Sequence, residues 1–308
     1  MDQQIIEKLI NCYAEHCKCQ KGLSQQTIKA YRIDLNQFAC FIINSKSCCT
    51  KEQIQAFITY LHSKYKVKTI KRKIASLKAF FSYLEFEEMI EDNPFRKIHV
   101  KLHEPFLLPK TIPLASINSI LECAYKQRKA QKEGSYGYLA VLRDIAVMEL
   151  LFATGIRVSE LCCLQPSSVN LIEGVIKIYG KGSKERIVQI GNKEVLSAIA
   201  TYYQAFSASI TETGWFFVNR LGSQLSDQSV RFMIQRYASL AGVDQHITPH
   251  MFRHSFATLL LEEDVDIRYI QQLLGHSNIT TTQIYTHVSS KKQRDILTTK
   301  HPRNKISV

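Results

Sequence analysis

Apolar residues recur at helical spacing through the first quarter of the chain. Ile5, Ile6, Leu9, Ile10 and Tyr13 mark one helix face, and a basic turn, KCQKG, follows. Ser24 is placed to cap a second helix with Ile28, Tyr31, Leu35, Phe38 and Ile42 on its inner face. Thr50 caps a third, which carries Ile54, Phe57, Ile58 and Leu61, and Gln53 stands where a capping box needs it. A fourth helix buries Ile70, Ile74, Leu77, Phe80, Phe81 and Leu84. Residues 1–98 therefore read as a small all-helical domain that closes at Asn93-Pro94.

Pro94, Pro105, Pro109 and Pro113 then interrupt the pattern, and residues 99–113 read as an extended linker. A second domain is expected over 114–300. Ser116 is expected to cap its first helix, with Ile117, Ile120 and Leu121 inside. The polar stretch 126–138 reads as a helix end plus a solvent loop, and YLAVLRDIAVMELLFATG as a buried helix stopped by Gly155. A short helix starts at Ser159-Glu160. The period then changes: Val175–Tyr179 and Ile187–Ile190 read as two strands joined by the glycine hairpin GKGSKER. Helices follow at 192–206, from Ser226 to Gly242, from Pro249, and over Ile267–Leu274 with Asp266 as cap and Gly275 as stop. Trp215-Phe216-Phe217 reads as a short buried element. Thr280–Thr282 can cap a last helix bearing Tyr285, and a polar tail covers 301–308. The fold class is mainly α in two domains, the second mixed α/β with a small antiparallel sheet.

Charge changes this picture. Lys and Arg number 40 against 27 Asp and Glu, a formal net charge of +13. That balance favours a polyanionic partner. Lys64, Lys66, Lys68, Lys71, Arg72 and Lys73 crowd the start of the fourth helix, where positive charge opposes the macrodipole. A nearby phosphate backbone would offset that cost; an ordinary solvated basic face is the alternative. No apolar run approaches the roughly 18 residues of a membrane span, and the first residues lack a signal core. The nine cysteines show no C-x₂-C spacing, so neither a metal nor a structural disulfide is expected. One of Cys162 and Cys163 should pack as a small hydrophobe. These features fit a cytoplasmic protein of a reducing cell interior.

The candidate chemistry concentrates in the last third, with Arg157 and Lys181 as upstream signals. Arg157 and Arg253, on separate elements, could grip both non-bridging oxygens of a phosphodiester and stabilise the charge that develops there. A structural ion pair with Glu160 is the other reading of Arg157. His250 and Arg253 share a helix face, and His254 could reach the same side; spacing alone does not choose between the histidines. His276, just past Gly275, could donate to the phosphate or orient a neighbour. Tyr285 is the candidate nucleophile, its phenolate stabilised by nearby cations and its proton taken by an imidazole. Lys181, in a glycine hairpin, can protonate the leaving oxygen, while Lys184 and Arg186 are expected on the DNA backbone elsewhere. A covalent phosphotyrosine conserves the phosphodiester energy, so rejoining needs no ATP. The sequence holds neither a Walker motif nor a carboxylate cluster for Mg²⁺, and no cofactor is expected.

These segments resemble the tyrosine recombinase, or phage integrase, family. ATGIRVSEL is similar to its first arginine motif, GKGSKER to its lysine hairpin, TPHMFRHSFAT to its histidine–arginine motif and LLGHSNITTTQIYTHV to its last two motifs. The resemblance spans nearly the whole chain and is nearest to the Xer branch. It implies Arg157, Lys181, His250, Arg253, His276 and Tyr285 as the catalytic set, His250 being preferred over His254 on this ground. It also implies a SAM-like core-binding domain, a C-shaped clamp on double-stranded DNA and a homo-tetramer, with or without a partner recombinase, on short inverted repeats. Strand exchange would pass through a Holliday junction, with 3′-phosphotyrosine links and the C-terminal segment packing in trans. Stretch 126–138 is longer than the compact Xer pattern, so integration or excision of a mobile element stands beside chromosome-dimer resolution. A type IB topoisomerase-like enzyme and a catalytically silent DNA-binding factor are the rival readings.

Overall fold

The computed structural model describes residues 3–44, 50–98, 100–103, 109–179 and 185–275. The chain divides into two compact units, Met1–Phe106 and Leu107–Val308. In the first, α1 (Gln3–Cys19), α2 (Gln25–Asn44), α3 (Lys51–Lys64) and α4 (Val67–Phe86) enclose one core. Tyr13, Leu35, Phe38, Phe57, Leu61, Leu77 and Phe81 fill it, on the faces the apolar spacing predicts. Ser24 caps α2 through the Thr27 N–H at 3.3 Å. Thr50 is the N-cap of α3, yet its side chain makes no capping bond, so the expected capping box with Gln53 does not form.

The chain does not leave this core at Asn93-Pro94. The Asn93 side chain accepts from the Phe95 N–H at 3.0 Å and starts a single 3-10 turn, Pro94–Lys97. Phe95 and Ile98 are buried, and Val100 and Leu102 pack against the same core. At the far end of the predicted linker, Ile112 is buried in the second unit. Its N–H donates to Ser255 Oγ at 2.7 Å, and the hydroxyl donates back to the Ile112 carbonyl at 3.2 Å. Apolar residues at both ends thus fasten the stretch, one end to each unit. Residues 104–108 lie outside the described residues.

The second unit is built round α6 (Tyr136–Thr154), whose Ile145, Val147, Met148, Leu150 and Leu151 are all buried. Truncating such a residue as Leu150 to Ala would cost about 2–5 kcal/mol. Against α6 pack α5 (Leu114–Ala130), α8 (Lys193–Thr213), α9 (Asp227–Leu240) and α10 (Pro249–Glu262). α5 begins before Ser116, because Pro113, with its φ already set, offers its carbonyl to the Ile117 N–H at 3.1 Å. α8 outruns its predicted end because Ile210 holds the last turns in the core. The short α7 (Val158–Cys162) follows α6. Cys162 is buried and Cys163 exposed.

β2 (Val175–Tyr179) and β3 (Glu185–Gln189) pair antiparallel, with Ile178 opposite Arg186 and Ile176 opposite Val188. Ile176, Ile178 and Val188 face inward. A third strand, β1 (Val169–Asn170), joins β2; two residues are too short for any period to announce. Phe216 and Phe217 are buried without joining a regular element, held where Tyr202 Oη donates to the Phe216 carbonyl at 2.9 Å. α11 (Ile267–Leu274) starts at its Asp266 cap and ends at Gly275. The expected helix over Tyr285 lies outside the described residues. Among the described residues no helix is long and apolar enough to cross a membrane.

Candidate active site

The ends of α6 and α11 meet at one guanidinium. Gly155 follows α6 with φ +58°, a left-handed conformation that favours glycine. A Cβ there would also lie 2.6 Å from Phe256 and 2.9 Å from Leu274. The Gly155 carbonyl accepts from Arg253 Nη1 at 2.7 Å, and the Leu274 carbonyl from Arg253 Nη2 at 2.6 Å. Both carbonyls belong to helix C-termini, whose dipoles favour a cation. Arg253, 4% exposed, is therefore held in one orientation by three elements, α6, α10 and α11.

Arg157 is held differently. It stands at the N-cap of α7, and Glu160 reaches back to its N–H with an Oε2 distance of 3.0 Å. The same carboxylate takes Arg157 Nη1 at 2.7 Å on Oε1. The ion pair weighed from the sequence is present, but the Arg157 side chain remains 36% exposed. Glu160 also takes Arg186 as a two-pronged partner, Nη1 at 2.9 Å and Nη2 at 2.7 Å. Burial alone would raise the Glu160 pKa. Hydrogen bonds from Arg186 and from the Arg157 N–H, with the Arg186 charge, overcome this and bring it to about 2.

His250 is exposed at the start of α10. Partial burial of the imidazole, then the charges of Arg231, Arg253 and Arg157, depress its pKa below the ordinary 6.5. It is a neutral imidazole at neutral pH, able to accept a proton. His254, more deeply set, is brought to about 4 by burial and by His250 and Arg253. Of the two, only His250 feels both Arg157 and Arg253 among its principal charges. Arg231, exposed on α9, was missed in the sequence because nothing in helix spacing announces a neighbour on another helix.

Lys181, His276 and Tyr285 lie outside the described residues, as does Lys184. Of the cations expected on DNA, Lys64, Lys66, Lys68, Lys71 and Arg72 are exposed at the α3–α4 turn. Lys73 is not: it is 4% exposed, with its ammonium on Asp34 at 2.8 Å and Gln37 at 2.6 Å. Arg72 shares that carboxylate, and Ser76 donates to it at 2.9 Å. Helical spacing puts Lys73 beside Ile70, Leu77 and Phe81, on the buried side of α4. Arg186 is likewise turned inward and 12% exposed, spent on Glu160 and on the Leu273 carbonyl at 3.2 Å. Neither cation is presented to solvent as the sequence reading expects.

Residues 131–292 match the phage integrase family, and residues 10–88 match the phage integrase N-terminal SAM-like domain. A tyrosine recombinase of Agathobacter rectalis is 57% identical over 295 residues, 96% of either chain. The tyrosine recombinase XerC of Thermodesulfovibrio yellowstonii is 40% identical over 304 residues, 96% of this chain and 97% of its own. The crystal structure of XerH site-specific recombinase bound to palindromic difH substrate, a post-cleavage complex, shares the fold. Its TM-score is 0.75 at 23% identity, over 97% of this chain and 84% of that one. The chain belongs to the phage integrase family of tyrosine recombinases, enzymes that transfer DNA strands.

Proposed function

We propose that this recombinase breaks DNA by attack of the Tyr285 oxygen on phosphorus. The new O–P bond leaves a 3′-phosphotyrosine, the bond to the 5′ oxygen breaks, and Lys181 gives that oxygen its proton. Neutral His250 takes the tyrosine proton, and His276 donates to the phosphate. Arg157 and Arg253 neutralise the non-bridging oxygens as charge develops. One observation carries this reading: two guanidiniums fixed on separate elements, one by Glu160 and one by paired helix ends, both act on the same imidazole. Fixed dipoles and charges of this kind need no reorganisation during reaction.

The exposed cations at the α3–α4 turn add a second, sequence-independent hold on phosphates. On this reading the substrate is double-stranded DNA with short inverted-repeat sites in a prokaryotic cell interior. Four copies, with or without a partner recombinase, exchange strands through a Holliday junction, and the C-terminal segment packs in trans. A relative of the same fold was captured on a palindromic substrate, which supports the inverted repeat. The test uses plasmids carrying one or two copies of a candidate site from DNA flanking the gene. Two sites should yield excised circles or inverted segments. Relaxation of plasmids lacking any site, without recombinants, would assign the chain to nicking and closing instead.

A further inference from the structure

Arg186 is the residue whose sequence reading and structural placement disagree most. It was expected on the DNA backbone, yet its guanidinium is turned into the protein. One edge makes the two-pronged pair with Glu160, at 2.9 and 2.7 Å. Nε donates to the Leu273 carbonyl at 3.2 Å, at the last turn of α11. Gly275, with φ +64°, closes that turn, and a Cβ on it would lie 2.8 Å from Arg186 Cδ and 3.0 Å from Nη1. Arg186 thus joins β3 to α7 and α11. The same Glu160 carboxylate orients Arg157, and the next carbonyl of α11, that of Leu274, orients Arg253.

We propose that Arg186 is a positioning residue for the cleavage reaction: through Glu160 and the end of α11 it fixes the directions in which Arg157 and Arg253 present their guanidiniums. The inference rests on the reading that these two arginines hold the scissile phosphate. Its physical basis is the sharing of one carboxylate. With Arg186 in place, each Glu160 oxygen is shared, Oε1 with the Arg157 side chain and Oε2 with the Arg157 N–H. Without Arg186, Glu160 would be left to a single guanidinium that solvent reaches. Carboxylate and guanidinium would then be free to swing together, and Arg157 would lose its fixed direction while keeping its charge and its reach to the phosphate. Arg186, itself held by the Leu273 carbonyl, anchors the carboxylate through both oxygens and so fixes that direction.

The experiment compares the unmutated chain with Arg186→Met, Arg186→Lys and the double variant Arg186→Met with Glu160→Met. Each is given saturating nicked suicide duplexes tiling the DNA that flanks the gene, and covalent adduct is followed in a single turnover. Binding is measured by fluorescence anisotropy over a range of salt. Arg186→Met should form adduct about a hundredfold more slowly, the size expected of a misplaced catalytic group. DNA affinity and its salt slope should stay unchanged, and Arg186→Lys should recover part of the rate. The double variant removes both partners of the buried pair, so its thermal stability should return toward normal while cleavage stays slow. Cleavage that recovers together with stability would make Arg186 a purely structural residue and overturn the proposal. A weaker complex with the salt slope reduced by about one would make it a phosphate contact and overturn it as well. If the unmutated chain forms adduct and Arg186→Met forms it equally fast, the proposal falls and the tyrosine mechanism stands; if the unmutated chain forms none, both fall.

Discussion

Arg253 Nη1 lies 2.7 Å from the carbonyl oxygen of Gly155, at a point where no side chain fits. Two backbone carbonyls, those of Gly155 and Leu274, thus aim this arginine. Replacing Gly155 with Ala would force the left-handed conformation on a residue with a Cβ. It would also drive that carbon into Phe256 and Leu274. The conformational cost alone is about 1–2 kcal/mol. Gly155→Ala should therefore lower the melting temperature and slow cleavage together, as measured by calorimetry and adduct formation. Unchanged cleavage would mean that the Gly155 carbonyl does not aim Arg253.

In the first unit, Lys73 and its exposed neighbours should separate cleanly. Lys73→Met leaves the buried Asp34 carboxylate short of one partner, a loss of about 3–5 kcal/mol where a buried pair is broken. It should not alter the salt dependence of DNA binding. Lys66→Gln or Lys68→Gln should leave stability nearly unchanged and each reduce the slope of log affinity against log salt by about one. Chemical denaturation and salt-titrated anisotropy read both effects. A reduced slope in Lys73→Met would contradict the buried assignment.

Acid should act on the second unit through Glu160. Its pKa falls from 4.5 to about 2 on folding, so its stabilising contribution is fully present above pH 4.5 and is lost as pH falls toward 2. A shift of that size is worth about 3 kcal/mol. Glu160→Gln should flatten the decline in stability below pH 4.5, measured by urea denaturation across pH. An equally steep decline in the variant would place the acid sensitivity elsewhere.

The pH dependence of cleavage follows from His250, whose pKa lies below 6.5. The neutral base is present above its pKa, so the acid limb of the single-turnover rate should fall below pH 6.5. His250→Ala should remove that limb, and His254→Ala should keep it. A limb centred above pH 6.5 would contradict the depressed imidazole.

Lys181 is tested by the leaving group. Lys181→Ala should slow cleavage of the ordinary 5′ oxygen and regain rate on a 5′-bridging sulfur, which leaves without a proton. Equal slowing on both substrates would remove Lys181 as general acid.

Much of this was legible in the sequence because it is local. The Ser24, Ser226 and Asp266 caps and the Gly155 and Gly275 stops all act within a few residues of themselves. The apolar faces of α2, α4 and α6 follow from period alone. What the sequence hid is tertiary. A lysine in a basic run reads as solvated, and only the packing of α2 on α4 brings Asp34 to Lys73. Arg186 reads as a hairpin cation, and its partner Glu160 is 26 residues away on another element. Ile112 sits among prolines, and only its burial shows that this end of the stretch is anchored. In each case two distant residues share one polar group or one core, a relation that spacing along a chain does not carry.

If Tyr285 is the nucleophile, it joins itself to DNA. Nicked suicide duplexes from the genomic neighbourhood, incubated with the unmutated chain and with Tyr285→Phe, test it most directly. The first should give a denaturation-resistant adduct through the 3′ phosphate, and the second tight binding without adduct. An adduct that persists in Tyr285→Phe, or one mapped to the 5′ end, would contradict it.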